Sequence, residues 1–182
     1  MYTDELKQYL LSTARDSIQH GLTHNKSLAV TVENYPEPLR EMRATFVTLH
    51  NHAGLRGCIG TTVAMAPLII SASDNAYAAA FRDPRFKPLA ESEFAGIHIS
   101  ISILTPSEPM LFTSEVDLLA QLRPGIDGLI IARHTRKATF LPSVWSSLKK
   151  PADFLYQLKL KAGMLPDQAP IRAWRYQTEM IE

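Results

Sequence analysis

One segment of the sequence constrains the fold more than any other, the run IHISISIL at residues 97–104. Isoleucine occupies every second position from 97 to 103, and histidine or serine occupies the positions between. Because successive side chains of a β-strand point to opposite faces, one face of this strand is apolar and the other is polar. Such alternation is typical of an antiparallel sheet that buries one face against a core. The segment therefore predicts a strand in a half-buried antiparallel sheet.

Helices and further strands are predicted on both sides of this segment. The helical spacing of apolar residues predicts helices over 3–21, 67–81, 113–122 and 151–164. Runs of β-branched and aromatic residues predict strands over 44–50, 55–60, 129–133, 137–141 and 171–177. Helices and hairpins alternate without a repeated strand–helix unit. The predicted fold class is therefore α+β, a mostly antiparallel sheet flanked by helices.

The length and charge limit the kinds of protein that this chain can be. Its 182 residues suit one domain over 1–182, or one domain with a smaller lobe. Hydrophobic residues make up 46% and charged residues 20%, which provides a core and shows no sign of disorder. The net charge of +1, without a block of like charges, argues against nucleic acid as the main partner. A small anionic ligand held by a few arginines stays open.

Cysteine content and hydropathy bear on the cellular compartment. A single cysteine excludes a disulfide framework and any zinc site built from several thiolates. The longest apolar runs are too short to cross a bilayer. The first ten residues, MYTDELKQYL, lack the pattern of a signal peptide. The sequence therefore predicts a cytoplasmic protein that does not insert into a membrane.

The one cysteine lies in the glycine-rich run LRGCIG at residues 55–60. In a regular strand, Arg56 and Cys58 would share one face, about 6–7 Å apart along the backbone. Because a cation beside a thiol favours the thiolate, both residues are candidate catalytic residues. Gly57 and Gly60 carry no side chain, so a ligand could approach the backbone there. The alternative is that LRGCIG is a packed core hairpin and the cysteine only fills space.

A thiol nucleophile also needs a base, and two histidines are candidates. If residues 51–54 form the whole loop between the two strands, His50 pairs with Leu55 and faces away from Cys58. If the loop begins at His50, this histidine leaves the strand pairing. His98, on the polar face of IHISISIL, is the further candidate for a catalytic role.

The triplet HNH at residues 50–52 raises the question of a metal site. A catalytic zinc usually has three protein ligands, so a distant His98 or His134 would have to complete the set. The sequence predicts neither a metal site nor a cofactor.

A second arginine-containing segment, RDPRF at residues 82–86, follows the predicted helix 67–81. Two arginines at this spacing could hold a phosphate or carboxylate, which makes Asp83 and Arg85 candidate ligand-binding residues together with Gly57 and Gly60. The alternative is an ion pair between arginine and aspartate that fixes the loop.

The chain resembles the AMMECR1-domain family in six segments, which occur in the same order as in that family. They are FVTLHNHAGLRGCIG, NAYAAAFRDPRFKPL, ISILTPSEP, LRPGIDGLII, TFLPSVW and FLYQLKLKAG. The resemblance runs from about Phe46 to Gly163, and LRGCIG is the hallmark of the family. Ala138 departs from the pattern, since glycine is more frequent there, and this affects only the local loop shape.

The resemblance implies an α+β fold with a larger part, a smaller lobe and a cleft between them, bordered by LRGCIG and DPRF. It also implies Memo-like and radical SAM proteins as partners. The first functional hypothesis is an enzyme or substrate-handling component that acts on a small molecule or modified nucleotide with these partners, using Cys58 as the reactive thiol. The alternative is a protein-binding adaptor without catalysis. Nucleic-acid binding has little support in the charge or in the 8% aromatic content.

Overall fold

Residues 98–104 of the alternating segment form an inner strand of a four-stranded sheet, as the alternation predicts. The computed structural model describes residues 1–170 and 172–182. The helices are α1 (Asp4–His24), α2 (Glu37–Arg40), α3 (Leu68–Phe81), α4 (Glu91–Phe94), α5 (Glu115–Gln121) and α6 (Pro151–Lys161). The strands are β1 (Thr45–Asn51), β2 (Gly54–Gly60), β3 (His98–Leu104), β4 (Glu108–Met110), β5 (Gly128–Arg133), β6 (Arg136–Phe140), β7 (Arg172–Tyr176) and β8 (Thr178–Ile181). The α+β class is confirmed.

The chain divides into two compact units, each with its own antiparallel sheet. The first unit contains Met1–Leu104 and Glu179–Glu182, and the second contains Thr105–Thr178. The sequence pattern did not indicate that the strands divide equally between two sheets. In the part of the chain that the structure describes, no helix combines the length and the apolar character that a membrane crossing requires.

The sheet of the first unit has the strand order β2-β1-β3-β8 and packs one face against α1 and α3. Five of the inward side chains of β1 and β3 are apolar and buried, namely Val47, Leu49, Ile99, Ile101 and Ile103. Between them on the opposite face lie the polar residues of the alternating segment. The alternation of apolar and polar residues in the sequence therefore predicts correctly which face of β3 is buried.

Helix α1 begins as predicted at the N-cap Thr3, whose hydroxyl accepts a hydrogen bond from the Leu6 amide. It does not end at Gly21, as the sequence predicts, but continues to His24. Gly21 lies under the rings of Tyr77 and Phe81 on α3, and an added Cβ would be 2.5 Å from Phe81. This glycine therefore allows α1 and α3 to approach closely and does not terminate the helix.

The sheet of the second unit has the order β4-β7-β5-β6 and packs with α5 and α6 around its own core. In that core, the Trp145 and Phe154 rings stack with centroids 3.8 Å apart, and the Trp145 indole donates to the Asp127 carbonyl. The last predicted strand, over 171–177, appears as β7. Its first predicted residue, Ile171, lies outside the described residues.

Candidate functional site

Cys58 lies on the hairpin of β1 and β2. The pairing register of this hairpin shifts by one residue between Leu49 and His50. Asn51 pairs with Gly54, so the turn contains two residues, a length that favours hairpins. His50 pairs with Leu55, which is one of the two registers considered above. Cys58 pairs with Thr48, which leaves Arg56 as an extra residue in a β-bulge.

This bulge corrects two expectations that rested on regular alternation. The first expectation was that Arg56 and Cys58 share one face of a strand; the bulge takes Arg56 out of the pairing. The second was that His50 faces away from Cys58. His50 and Thr48 are two residues apart on β1 and so share a face, and Cys58 is directly opposite Thr48. His50 therefore lies on the same sheet face as the thiol.

The Arg56 guanidinium is committed to the segment that follows α3. Its Nε and Nη2 donate to the two carboxylate oxygens of Glu93 at 2.7 and 2.9 Å, and Nη2 also donates to the Lys87 carbonyl at 3.0 Å. The side chain is only 11% exposed, and among the described residues its buried Nη1 has no hydrogen-bond partner. Arg56 therefore braces this segment against β2, and the Glu93 carboxylate neutralises its charge.

The pKa of Glu93 reflects this brace. The hydrogen bonds from Arg56, and then the hydrogen bond from the Ala90 amide, lower the pKa of Glu93 from 4.5 to about 2. Hydrogen bonds to a carboxylate favour its charged form, which explains the direction.

The backbone of Cys58 is held by the aspartate and arginine of the RDPRF segment. Because β2 is an edge strand, the outer side of its backbone has no neighbouring strand to bond. The Cys58 amide donates to Asp83 Oδ2 at 2.9 Å, and Arg85 Nη2 donates to the Cys58 carbonyl at 3.3 Å. Cys58 is half-buried, and its sulfur accepts a hydrogen bond from the Thr48 hydroxyl at 3.3 Å.

Asp83 and Arg85 form an ion pair with two parallel hydrogen bonds. Arg85 Nε and Nη2 lie 2.9 and 2.6 Å from the two Asp83 oxygens. These bonds, with those from the Cys58 and Arg85 amides, hold the pKa of Asp83 well below its ordinary value, and Asp83 in turn raises the pKa of Arg85. The Asp83 side chain is 2% exposed, whereas that of Arg85 is 55% exposed. Among the described residues, Arg85 Nη1 makes no hydrogen bond, so this edge of the guanidinium faces outward.

The two glycines of LRGCIG lie where the chain itself occupies the space of a side chain. An added Cβ on Gly57 would be 2.1 Å from the Ala79 carbonyl oxygen of α3. An added Cβ on Gly60 would be 2.3 Å from the Thr45 carbonyl oxygen and 2.5 Å from the Phe46 Cα. Close packing of backbone therefore explains both glycines, and the packed-hairpin interpretation accounts for them directly.

A row of small polar side chains connects the thiol to a cavity on the same unit. Thr48 lies opposite Cys58 on one side and opposite Ser100 of β3 on the other. At a strand spacing of about 4.8 Å, Ser100 lies roughly 10 Å from Cys58. Ser100, His98 and His50 help to line a cavity of about 610 Å³, and the two histidines pair directly across β1 and β3. The structure therefore gathers Cys58 and His98 on one sheet face, without a hydrogen bond between them.

Sequence reasoning missed two residues of this site, Thr48 and Glu93. Thr48 could have been found from the two-residue turn, but only with the bulge included. Glu93 lies 37 residues from its partner Arg56, and no local pattern connects them. Within 1–170 and 172–182, no group of three or more histidine, cysteine, aspartate or glutamate side chains could hold a metal ion.

Comparisons with known proteins agree on one family. The family model described as AMMECR1 matches residues 11–181. A protein of Methanothermobacter thermautotrophicus is 35% identical over 94% of this chain and 91% of its own length, and one of Methanocaldococcus jannaschii is 33% identical over 100% and 92%. The crystal structure of an uncharacterized protein from Pyrococcus horikoshii superposes with a TM-score of 0.89, at 28% identity, over 98% of this chain and 91% of the other.

Gly57→Ala should lower the free energy of unfolding by about 3 kcal/mol, because the new methyl group would meet the Ala79 carbonyl and push α3 from β2. Gly96→Ala is the matched control, since its Cβ would come no closer than 3.7 Å to another residue. Urea denaturation of both variants measures the difference. Equal stabilities would contradict the close approach of α3.

Glu93→Gln should remove a pH-dependent part of the stability. Because folding lowers the pKa of Glu93 from 4.5 to about 2, its contribution is complete above the unfolded value and is lost as the pH falls towards 2. The difference in free energy of unfolding between wild type and Glu93→Gln should therefore be constant above about pH 5 and shrink below it.

Glu91→Gln is the control for this measurement, because Glu91 is exposed on the same short helix and makes no ion pair among the described residues. Its difference from wild type should not follow this pH profile. A Glu93→Gln difference that stays the same at low pH would show that the Arg56–Glu93 contact is not an ion pair in solution.

Proposed function

Since the chain belongs to the AMMECR1 family, we propose that it handles a small molecule or modified nucleotide together with Memo-like and radical SAM proteins, the partners that the family resemblance implies. In this proposal, Cys58 is the reactive thiol and works as a nucleophile or a redox thiol. This is the first functional hypothesis, which rested on the family resemblance, with Arg85 in place of Arg56 as the cation near the thiol.

The observation that carries the proposal is the open guanidinium edge of Arg85 beside Cys58. Arg85 contacts the Cys58 carbonyl, and its side chain is 55% exposed. The Asp83 carboxylate holds two of its nitrogens, which fixes the plane of the guanidinium and leaves Nη1 for a ligand. A planar guanidinium held in this way favours carboxylate or phosphate groups. In this proposal, an anionic group of the ligand binds Arg85 beside the backbone of Cys58.

The Thr48 hydroxyl supplies the second element of the site. It donates a hydrogen bond to the Cys58 sulfur at 3.3 Å, which holds the thiol side chain in one orientation. A sulfur held in one orientation can be approached by an electrophilic ligand atom from a fixed direction. Arg56 has a positioning function in this proposal, because its charge is neutralised by Glu93 and its bonds hold the segment that follows Arg85.

His98 and the cavity of about 610 Å³ provide room for the rest of the ligand. This volume is in the range of small-molecule sites. The row from Cys58 through Thr48 to Ser100 measures roughly 10 Å, so in this proposal the ligand extends from the thiol towards Ser100 and the cavity.

A second candidate function is a protein-binding adaptor without catalysis. It is favoured by the packing of Gly57 against the Ala79 carbonyl and by the Arg56–Glu93 pair, which together explain much of LRGCIG as structure. In that case, a complex with a Memo-like or radical SAM partner would be unaffected by Cys58→Ser. Unchanged activity of the pathway in this variant would decide for the adaptor.

Alkylation rates test the small-molecule proposal, because the chain contains one cysteine. Anionic iodoacetate should modify Cys58 faster, relative to neutral iodoacetamide, than it modifies the same chain in denaturant. Arg85→Gln should lower this relative rate roughly two- to fivefold, the effect of losing a partly exposed charge. Arg85→Lys should retain part of the preference. Rates are measured by mass spectrometry of the intact protein.

Two controls make the result specific. Arg82→Gln removes a neighbouring arginine that lies over the Tyr77 ring, and it should leave the preference unchanged. Thr48→Val should slow both reagents alike, because it removes the hydroxyl that donates to the sulfur. A folded protein whose Cys58 reacts with neither reagent, or an Arg85→Gln variant with the wild-type ratio, would refute the proposal.

A further inference from the structure

A second cavity, in the second unit, is lined by hydrogen-bond donors, and the described residues around it include no carboxylate. It has a volume of about 350 Å³ and lies at the turn between β5 and β6. Its lining residues are Arg133, His134, Thr135, Arg136 and Gln168. Of these residues, only His134 was considered from the sequence, as a distant metal ligand.

The turn brings two like charges directly opposite each other. Arg133 and Arg136 pair across β5 and β6, with His134 and Thr135 between them. Like charges in directly opposite positions of an antiparallel pair destabilise it. Neither arginine forms an ion pair with any described carboxylate, so no acidic side chain relieves this repulsion. His134 also has a positive φ of 55°, which is uncommon for a residue other than glycine.

The contacts of the remaining groups leave donors free at the cavity. The amide oxygen of Gln168 accepts from the Leu165 amide at 3.2 Å, so its NH₂ group is the part that stays available. Arg133 Nη1 donates to the Ala169 carbonyl at 2.8 Å, which anchors the side chain. The other nitrogens of this guanidinium stay available to a ligand. In the described parts of the chain, the Arg136 guanidinium makes no hydrogen bond.

The charge of the second unit agrees with an anionic ligand. Residues 105–178 contain ten lysines and arginines against six aspartates and glutamates, while the whole chain has a net charge of only +1. The second unit is therefore basic although the net charge of the whole chain is close to zero. The cavity lies at the turn that carries Arg133 and Arg136. Two arginines, an imidazole and an amide NH₂ around one cavity suit the several oxygens of a phosphate group.

We propose that this cavity binds a phosphate group, which comes either from free inorganic phosphate or from a small phosphate monoester. The guanidinium groups of Arg133 and Arg136 bind its oxygens, and the Gln168 NH₂ and the His134 ring complete the contacts. The site is independent of Cys58, and its loss would leave the proposed function of the first unit untouched.

A titration of the full chain with inorganic phosphate, followed by ¹H–¹⁵N NMR at constant ionic strength, tests this site. The amide signals of His134 and Thr135 and the side-chain NH₂ signal of Gln168 should shift and saturate. Arg136→Gln should weaken binding roughly tenfold, as expected for losing a hydrogen bond to a charged group. Lys137→Gln, which makes the same charge change one residue away outside the cavity, should bind as the wild type does.

A parallel titration with adenosine monophosphate distinguishes the sources. Tighter binding of the monoester than of inorganic phosphate identifies a phosphorylated metabolite as the ligand, and equal binding identifies the free ion. Shifts that do not saturate, or that sodium chloride reproduces, would overturn the proposal. Equal effects of Arg136→Gln and Lys137→Gln would overturn it too, because only general charge would then be measured.

Discussion

The candidate site depends on one buried carboxylate, that of Asp83. A buried carboxylate is costly unless it is ionically paired and hydrogen-bonded, and Asp83 satisfies both conditions with the amide of Cys58 and the guanidinium of Arg85. The same contacts close the free edge of β2 at the cysteine. The position of the thiol backbone and the orientation of the nearest open cation are therefore set by a single side chain.

The two arginines near the thiol differ in function because they differ in burial. Arg56 is only two residues from Cys58 in the sequence, but its guanidinium is buried. A buried charge needs a partner of opposite sign, and Glu93 supplies it. Arg85 is 27 residues away along the chain and keeps one edge in solvent. Since an exposed guanidinium edge can exchange water for a ligand, the more distant arginine is the one suited to binding.

Much of the fold follows from the sequence, and the failures have specific physical causes. The period of two at residues 97–104, the hairpin around Asn51–Gly54 and the N-cap Thr3 are local features, and each is confirmed. The end of α1 was predicted wrongly because Gly21 has a packing role that only the rings of α3 reveal. In the candidate site, His50 was predicted to face away from Cys58, and the extra residue in β2 reverses this. Side chains alternate between the two faces of a strand, so one inserted residue moves those beyond it to the other face.

By itself, the sequence determined the α+β class, the buried face of β3, the hairpin that carries the lone cysteine, and the family. Each of these depends on residues close together in the chain or on motifs in a fixed order. The tertiary structure decided that Glu93 neutralises Arg56, that Asp83 and Arg85 hold Cys58, and that Thr48 donates to its sulfur. These contacts join residues 10 to 37 positions apart. The Thr48 contact forms within the hairpin, whereas the contacts of Glu93 and Asp83 form only when the segment after α3 packs against the edge of β2.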